Sequence, residues 1–98
     1  MIRRIVHMSF DPDQVEAFLM LFEERCEHIR AFPGCLELTL LQAADEPFRF
    51  VTYSLWENEA SLETYRASDL FTTTWARTKV LFNDRPKATS YRMVRHLE

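Results

Sequence analysis

The stretch Phe48 to Trp56, FRFVTYSLW, constrains the fold more than any other part of the chain. Its aromatic and β-branched residues favour a strand. Side chains alternate along a strand, so Phe48, Phe50, Thr52, Ser54 and Trp56 share one face, and Arg49, Val51, Tyr53 and Leu55 share the other. A sheet with one face in water alternates apolar and polar residues, whereas this strand carries apolar bulk on both faces, so each side is expected to be covered. Two helical segments follow directly, ENEASLETYRA and then DLFTTTW, and the run from Phe48 to Trp75 holds both tryptophans.

Around this strand the pattern yields six more elements. Ile2 to Phe10 alternates as a strand, with Ile2, Val6, Met8 and Phe10 beside Arg4 on one face and Arg3, Ile5, His7 and Ser9 on the other. The second face mixes apolar and polar groups, which suits a cavity wall, an interface or a solvated edge. DPDQ opens a helix, with Asp11 as N-cap, Pro12 at the first position and Gln14 closing a capping box. Val15, Phe18, Leu19, Phe22, Cys26 and Ile29 then recur at helical spacing, giving an apolar stripe that faces the sheet. Phe32, Pro33 and Gly34 end this helix, and Leu36 to Gln42 reads as a strand with Leu36, Leu38 and Leu40 on one face. Beyond Trp56 a helix spans Glu59 to Ala67, and Ser68 caps another running to Phe82, with Phe71, Trp75, Thr78 and Phe82 on one face. Lys87 to Arg95 is the last strand.

The order is βαββαβ with a split second helix, which is the ferredoxin-like α+β order: an antiparallel four-stranded sheet with helices on one face. Its other face is left bare, yet the central strand is apolar on both sides. A second copy of the chain is the simplest cover, so a homodimer with the two sheets face to face is expected. At 98 residues the chain is one domain, with residues 95–98 as a tail. Its aromatic share of 13% exceeds what a minimal core of this size needs, which points to a pocket or an interface.

A net charge of −3 with no basic stripe argues against nucleic acid as a partner. No apolar run approaches roughly 18 residues and no signal-like N-terminus is present, so no membrane span is expected and the expected setting is the cytoplasm. Cys26 and Cys35 have no zinc-ligand spacing and read as reduced thiols; no metal is expected. The single glycine excludes a glycine-rich phosphate loop, and no nucleophile elbow occurs. Histidine is the side chain that switches near neutral pH, and His7 is the candidate proton acceptor, since His28 lies off the apolar stripe and His96 lies in the tail. An aromatic cavity under the second helix is expected, lined by Trp56, Tyr65, Phe71 and Trp75, with His7, Thr52, Tyr53, Arg66 and Tyr91 as its polar groups. The same spacings also suit plain core.

The run FPGC at Phe32 to Cys35, then FRFVTYSLWENEASLETYRAS, then LFTTTW resembles the antibiotic biosynthesis monooxygenase domain family, in which the second helix follows a strand ending in W-E-x. The resemblance extends from Ile2 to Met93 and implies a dimeric α/β barrel. Family members include cofactor-independent oxygenases of aromatic polyketides, haem-degrading oxygenases and domains of unknown substrate. The strand tryptophan of the polyketide oxygenases matches Trp56, but their asparagine falls at Thr52, their helix tyrosine at Leu62 and their later arginine at Ala76. In the haem-degrading members a helix tryptophan falls at Tyr65 and the iron-ligating histidine at Trp75, so the axial ligand is missing here. The resemblance implies a monooxygenase without cofactor acting on a small aromatic or quinol-like substrate. His7 would be its proton acceptor, with Trp56 and Tyr65 clamping the ring. A non-catalytic barrel that binds a hydrophobic ligand or a partner is the other reading.

Overall fold

In the computed structural model all residues from Met1 to Glu98 are described. The strands are β1 (Ile2–Ser9), β2 (Cys35–Gln42), β3 (Arg49–Trp56) and β4 (Lys87–Tyr91), and the helices are α1 (Val15–Arg30), α2 (Glu59–Arg66) and α3 (Asp69–Lys79). The sheet runs β2-β3-β1-β4, antiparallel at every pairing. This is the ferredoxin-like α+β arrangement that the element order predicts. α1 packs on β2 and α3, and α2 packs on β3 and α3.

Several boundaries differ from the sequence pattern for local reasons. Asp11 makes no side-chain cap bond; Pro12–Gln14 form a 3-10 turn closed by the Gln14 amide donating to the Asp11 carbonyl at 2.8 Å, so the capping box does not form. The face that α1 turns inward is Phe18, Leu21, Phe22, Arg25 and Ile29, while Leu19 is exposed and Cys26 half-buried. The helix is rotated because it packs on α3 as well as the sheet: Arg25 Nη1 donates to Thr73 Oγ1 and Thr74 Oγ1 at 3.1 and 3.0 Å. A bulge between Cys35 and Glu37 takes Leu36 out of register, and Cys35 rather than Leu36 joins the core. β1 stops at Ser9, with Phe10 bridging to Phe82. β4 stops at Tyr91, and the exposed residues 92–98 belong to no strand.

The α2 and α3 caps are well made. Asn58 and Ser68 accept from the Ser61 and Phe71 amides, as N-cap residues do. The poor helix formers Thr72, Thr73 and Thr78 each donate their hydroxyl to the carbonyl four residues back, which satisfies them inside α3. α3 ends at Lys79, short of the expected Phe82. Gly34 turns the chain at φ 90°, a conformation that favours glycine, and its carbonyl accepts from the Glu57 amide at 2.8 Å.

The strand register explains where space is left under the helices. At one end of the helix-facing side, Cys35, Trp56 and Ile2 align across three strands and pack with Leu62 of α2. At the other end Phe50 and Met8 align and pack with Phe10 and Phe18. Between these ends lie two rows, Leu38–Ser54–Arg4–Ser90 and Leu40–Thr52–Val6–Ala88. Tryptophan and phenylalanine fill the ends, whereas in the middle Ser54, Thr52, Val6 and Ala88 are too small to reach the helices, which leaves space above them.

Candidate functional site

A cavity of about 290 Å³ occupies that middle. Arg4, Val6, Thr52, Ser54 and Ala88 form its floor. Its roof is the face of α3 that carries Phe71, Thr74, Trp75 and Thr78 at helical spacing. The volume lies at the lower end of small-molecule pockets, roughly 300 to 1,000 Å³.

The aromatic surplus of the sequence forms one continuous arc of rings along this space. Trp56 stacks on Tyr65 at 4.8 Å, Tyr65 meets Phe71 edge-on at 5.3 Å, and Phe71 lies nearly parallel to Trp75 at 6.0 Å. Trp75 then meets Phe82, and Phe82 meets Phe10, at 5.6 and 5.2 Å. The arc therefore joins the two packed ends through α3 and walls the cavity between them. Ring pairs of this kind stabilise by about 0.5 to 1.5 kcal/mol beyond their burial.

Few polar groups face this space. Trp56 is wholly buried, and its indole Nε1 donates to Ser54 Oγ at 2.9 Å, so its donor is committed within the chain. Tyr65 is pushed well above the ordinary tyrosine range by burial and then by Cys35, so at neutral pH it is a phenol and a hydrogen-bond donor. No buried side-chain nitrogen or oxygen is left without a partner. The Thr52 and Tyr65 hydroxyls, which bond to nothing in the chain, accordingly keep accessible surface, and both residues line the cavity. Three arginines, Arg4, Arg25 and Arg66, complete the lining. No three His, Cys, Asp or Glu side chains converge in a way that could hold a metal ion.

The model of the antibiotic biosynthesis monooxygenase family matches residues 1–77. The chain belongs to that family. Solved structures agree: a crystal structure of an antibiotic biosynthesis monooxygenase superimposes with TM-score 0.90 at 23% identity, covering 97% of this chain and 100% of that one. Rv0793 from Mycobacterium tuberculosis follows at TM-score 0.89 and 20% identity, covering 99% and 98% of the two chains. SnoaB, a cofactor-independent oxygenase from Streptomyces nogalater in a mutant form, gives TM-score 0.87 at 14% identity over 98% and 95%. At these identities the neighbours establish the fold alone. No curated protein matches the chain.

Of the residues expected to line an aromatic cavity under the second helix, Thr52, Trp56, Tyr65, Phe71, Trp75 and Arg66 all line this one. His7, Tyr53 and Tyr91 do not. His7 aligns with Val51 and Lys87, Tyr53 with Ile5, and Tyr91 with Arg3, all on the sheet face turned away from the helices. Alternation along β1 and β3 decides this, since odd-numbered residues of β1 cannot share a face with Trp56. Exposed His7 instead borders a second hollow of about 230 Å³ with Gln42, Arg49, Asp84 and Arg85. Arg4 and Ser54 enter the site unforeseen. The signal for Arg4 was present: a charged residue among Ile2, Val6 and Met8, on the face of β1 that packs against the helices.

Proposed function

We propose that this member of the family oxygenates a small electron-rich aromatic compound, of phenol, hydroquinone or anthrone type, without a cofactor. The observation that carries this reading is the ring-walled cavity, closed at both ends by packed core, with hydrogen-bonding groups on its floor and wall. A deprotonated substrate can itself reduce oxygen. The substrate carbon then bonds to dioxygen, and loss of water from the resulting hydroperoxide leaves a carbonyl: in an anthrone CH2 and O2 give C=O and H2O, and in a phenol or hydroquinone a ring C–H and the phenolic O–H together with O2 give the quinone and H2O. The protein's part is orientation and a dry enclosure, which can supply several kcal/mol of a barrier. A flat ring lies against the arc of Tyr65, Phe71 and Trp75, with Thr52 and Tyr65 as the orienting donors. Oxygen-electrode assays of purified protein against anthrones and hydroquinones test this. Uptake that persists with a chelator and is lost in Phe71→Ala is the expected result; binding without uptake on any substrate would leave the domain a ligand-binding module.

We also propose that the bare face of the sheet pairs with a second copy. Ile5, Val51 and Tyr53 lie on it half-buried, and no helix of the chain packs there. A sedimentation mass of twice the chain at micromolar concentration is expected, and a mass of one chain would overturn the pairing. No helix is long and apolar enough to cross a membrane.

A further inference from the structure

The cavity lining contains no His, Asp or Glu, and Tyr65 is held as a phenol, so nothing in it can accept a proton at neutral pH. What it contains is positive charge. Arg25 is occupied, donating to Thr73 and Thr74 across the helix pair. Arg66, partly exposed where the cavity meets water, lies 3.2 Å from the still more exposed Glu63. Arg4 stands apart. It sits on the floor between Ser54 and Ser90, its guanidinium donates to Ser90 Oγ at 3.0 Å, and no carboxylate pairs with it. A guanidinium has five N–H donors and keeps its charge in proteins. Arg4 is half-buried and lines the cavity together with Arg66, so both guanidinium groups can donate to a ligand held there. Burial and then Arg66 push Arg4 below its ordinary range, and Glu63 opposes them only in part.

We propose that Arg4 and Arg66 form an anion seat at the mouth of the cavity, where an acidic aromatic substrate is bound as its phenolate or enolate. This rests on the oxygenase reading above and supplies the step that His7 cannot. The substrate O–H bond breaks, the proton passes to bulk water, and the oxygen keeps the electron pair and is held by guanidinium N–H groups. The pocket needs no base because it stabilises the conjugate base. The substrate class narrows to compounds with an ionisable phenol or enol on the ring that lies near Arg4. A cation within roughly 4 to 6 Å of an acid lowers its pKa by about 1 to 3 units.

The test uses 4-nitrophenol, whose phenolate has its own visible absorption, and 4-nitroanisole as a neutral analogue, both followed also by quenching of tryptophan fluorescence. In the parent protein the ionisation midpoint of bound nitrophenol should fall by roughly 1 to 3 pH units from its free value. In Arg4→Gln most of that shift should vanish, Arg4→Lys should restore part of it, and 4-nitroanisole should bind all three proteins within about twofold. If Arg4→Gln fails to fold, Arg66→Gln at the exposed rim reads the same shift, and raising salt should shrink it in the parent by screening. A bound midpoint equal to the free one, or a full shift retained in both Gln variants, overturns the seat, while bound nitroanisole leaves the cavity reading intact. Binding of neither compound to the parent overturns the cavity reading and the seat with it.

Discussion

Phe10 and Trp56 are the two large side chains with no exposed surface, and they anchor opposite ends of the helix-facing side of the sheet. Their surroundings differ. Phe10 stacks on Phe18 at 4.2 Å and meets Phe50 and Phe82, a cluster of hydrocarbon rings with no polar atom to satisfy. Trp56 carries an indole bond to Ser54, stacks on Tyr65 and packs beside Cys35, and it also lines the cavity. Phe10 itself stays off the cavity, which its neighbours Met8 and Phe18 only border, whereas Trp56 both holds the fold together and lines the binding space. Aromatic bulk alone therefore does not mark a site; what marks it is bulk bordering a row of small residues.

Replacing each anchor with alanine should separate the two roles, and has the largest expected effect. Trp56→Ala and Phe10→Ala should each lower unfolding free energy by about 3 to 5 kcal/mol, read from denaturant midpoints. Only Trp56→Ala should also weaken aromatic ligand binding under conditions where both variants remain folded. Gly34→Ala should come next, because an added Cβ would collide with Ser61 of α2 and take a φ of 90°. A cost of about 1 to 3 kcal/mol from the backbone alone is expected, with loss of ligand affinity as α2 shifts over Trp56. Ser54→Ala should cost about 1 to 3 kcal/mol, since it strands a buried indole N–H, and a cycle with Trp56→Phe should recover much of that. No equivalent exists at the Phe10 end.

The smallest effect concerns Tyr65. An unfolded tyrosine ionises near pH 10, whereas burial keeps Tyr65 protonated above that, so between the two values the unfolded state sheds a proton that the native state retains. Stability from this group is complete below about pH 10 and is lost as pH rises toward the native value. Denaturant midpoints at about pH 8 and about pH 11 should fall further apart in the parent than in Tyr65→Phe.

Much of this was legible in the residues. FRFVTYSLW identified the central strand and its two faces, Ser68 marked the break between α2 and α3, and the spacing of Phe71, Trp75 and Thr78 marked the face that roofs the cavity. Alternation also separated His7 from Ile2, Val6 and Met8 on β1, and the pairing of Ile2 with Trp56 then puts His7 on the face opposite the tryptophan. Other features were hidden because they depend on pairing across the sheet. That Ser54, Thr52, Val6 and Ala88 fall in adjacent rows follows from strand register, which no single strand displays. The bulge that replaces Leu36 with Cys35 and the rotation of α1 toward Arg25 likewise arise only once neighbouring elements meet.

The central claim is that the space between the two anchored ends, and not the hollow beside His7, receives the ligand. Titrating labelled protein with a naphthol while following backbone amide and indole N–H resonances tests it most directly. The largest shifts should fall on the Trp75 indole and on Val6, Thr52 and Ala88, with Gln42 and Arg49 unmoved. Shifts concentrated on His7, Gln42 and Arg49, with Thr52 and Trp75 silent, would contradict it.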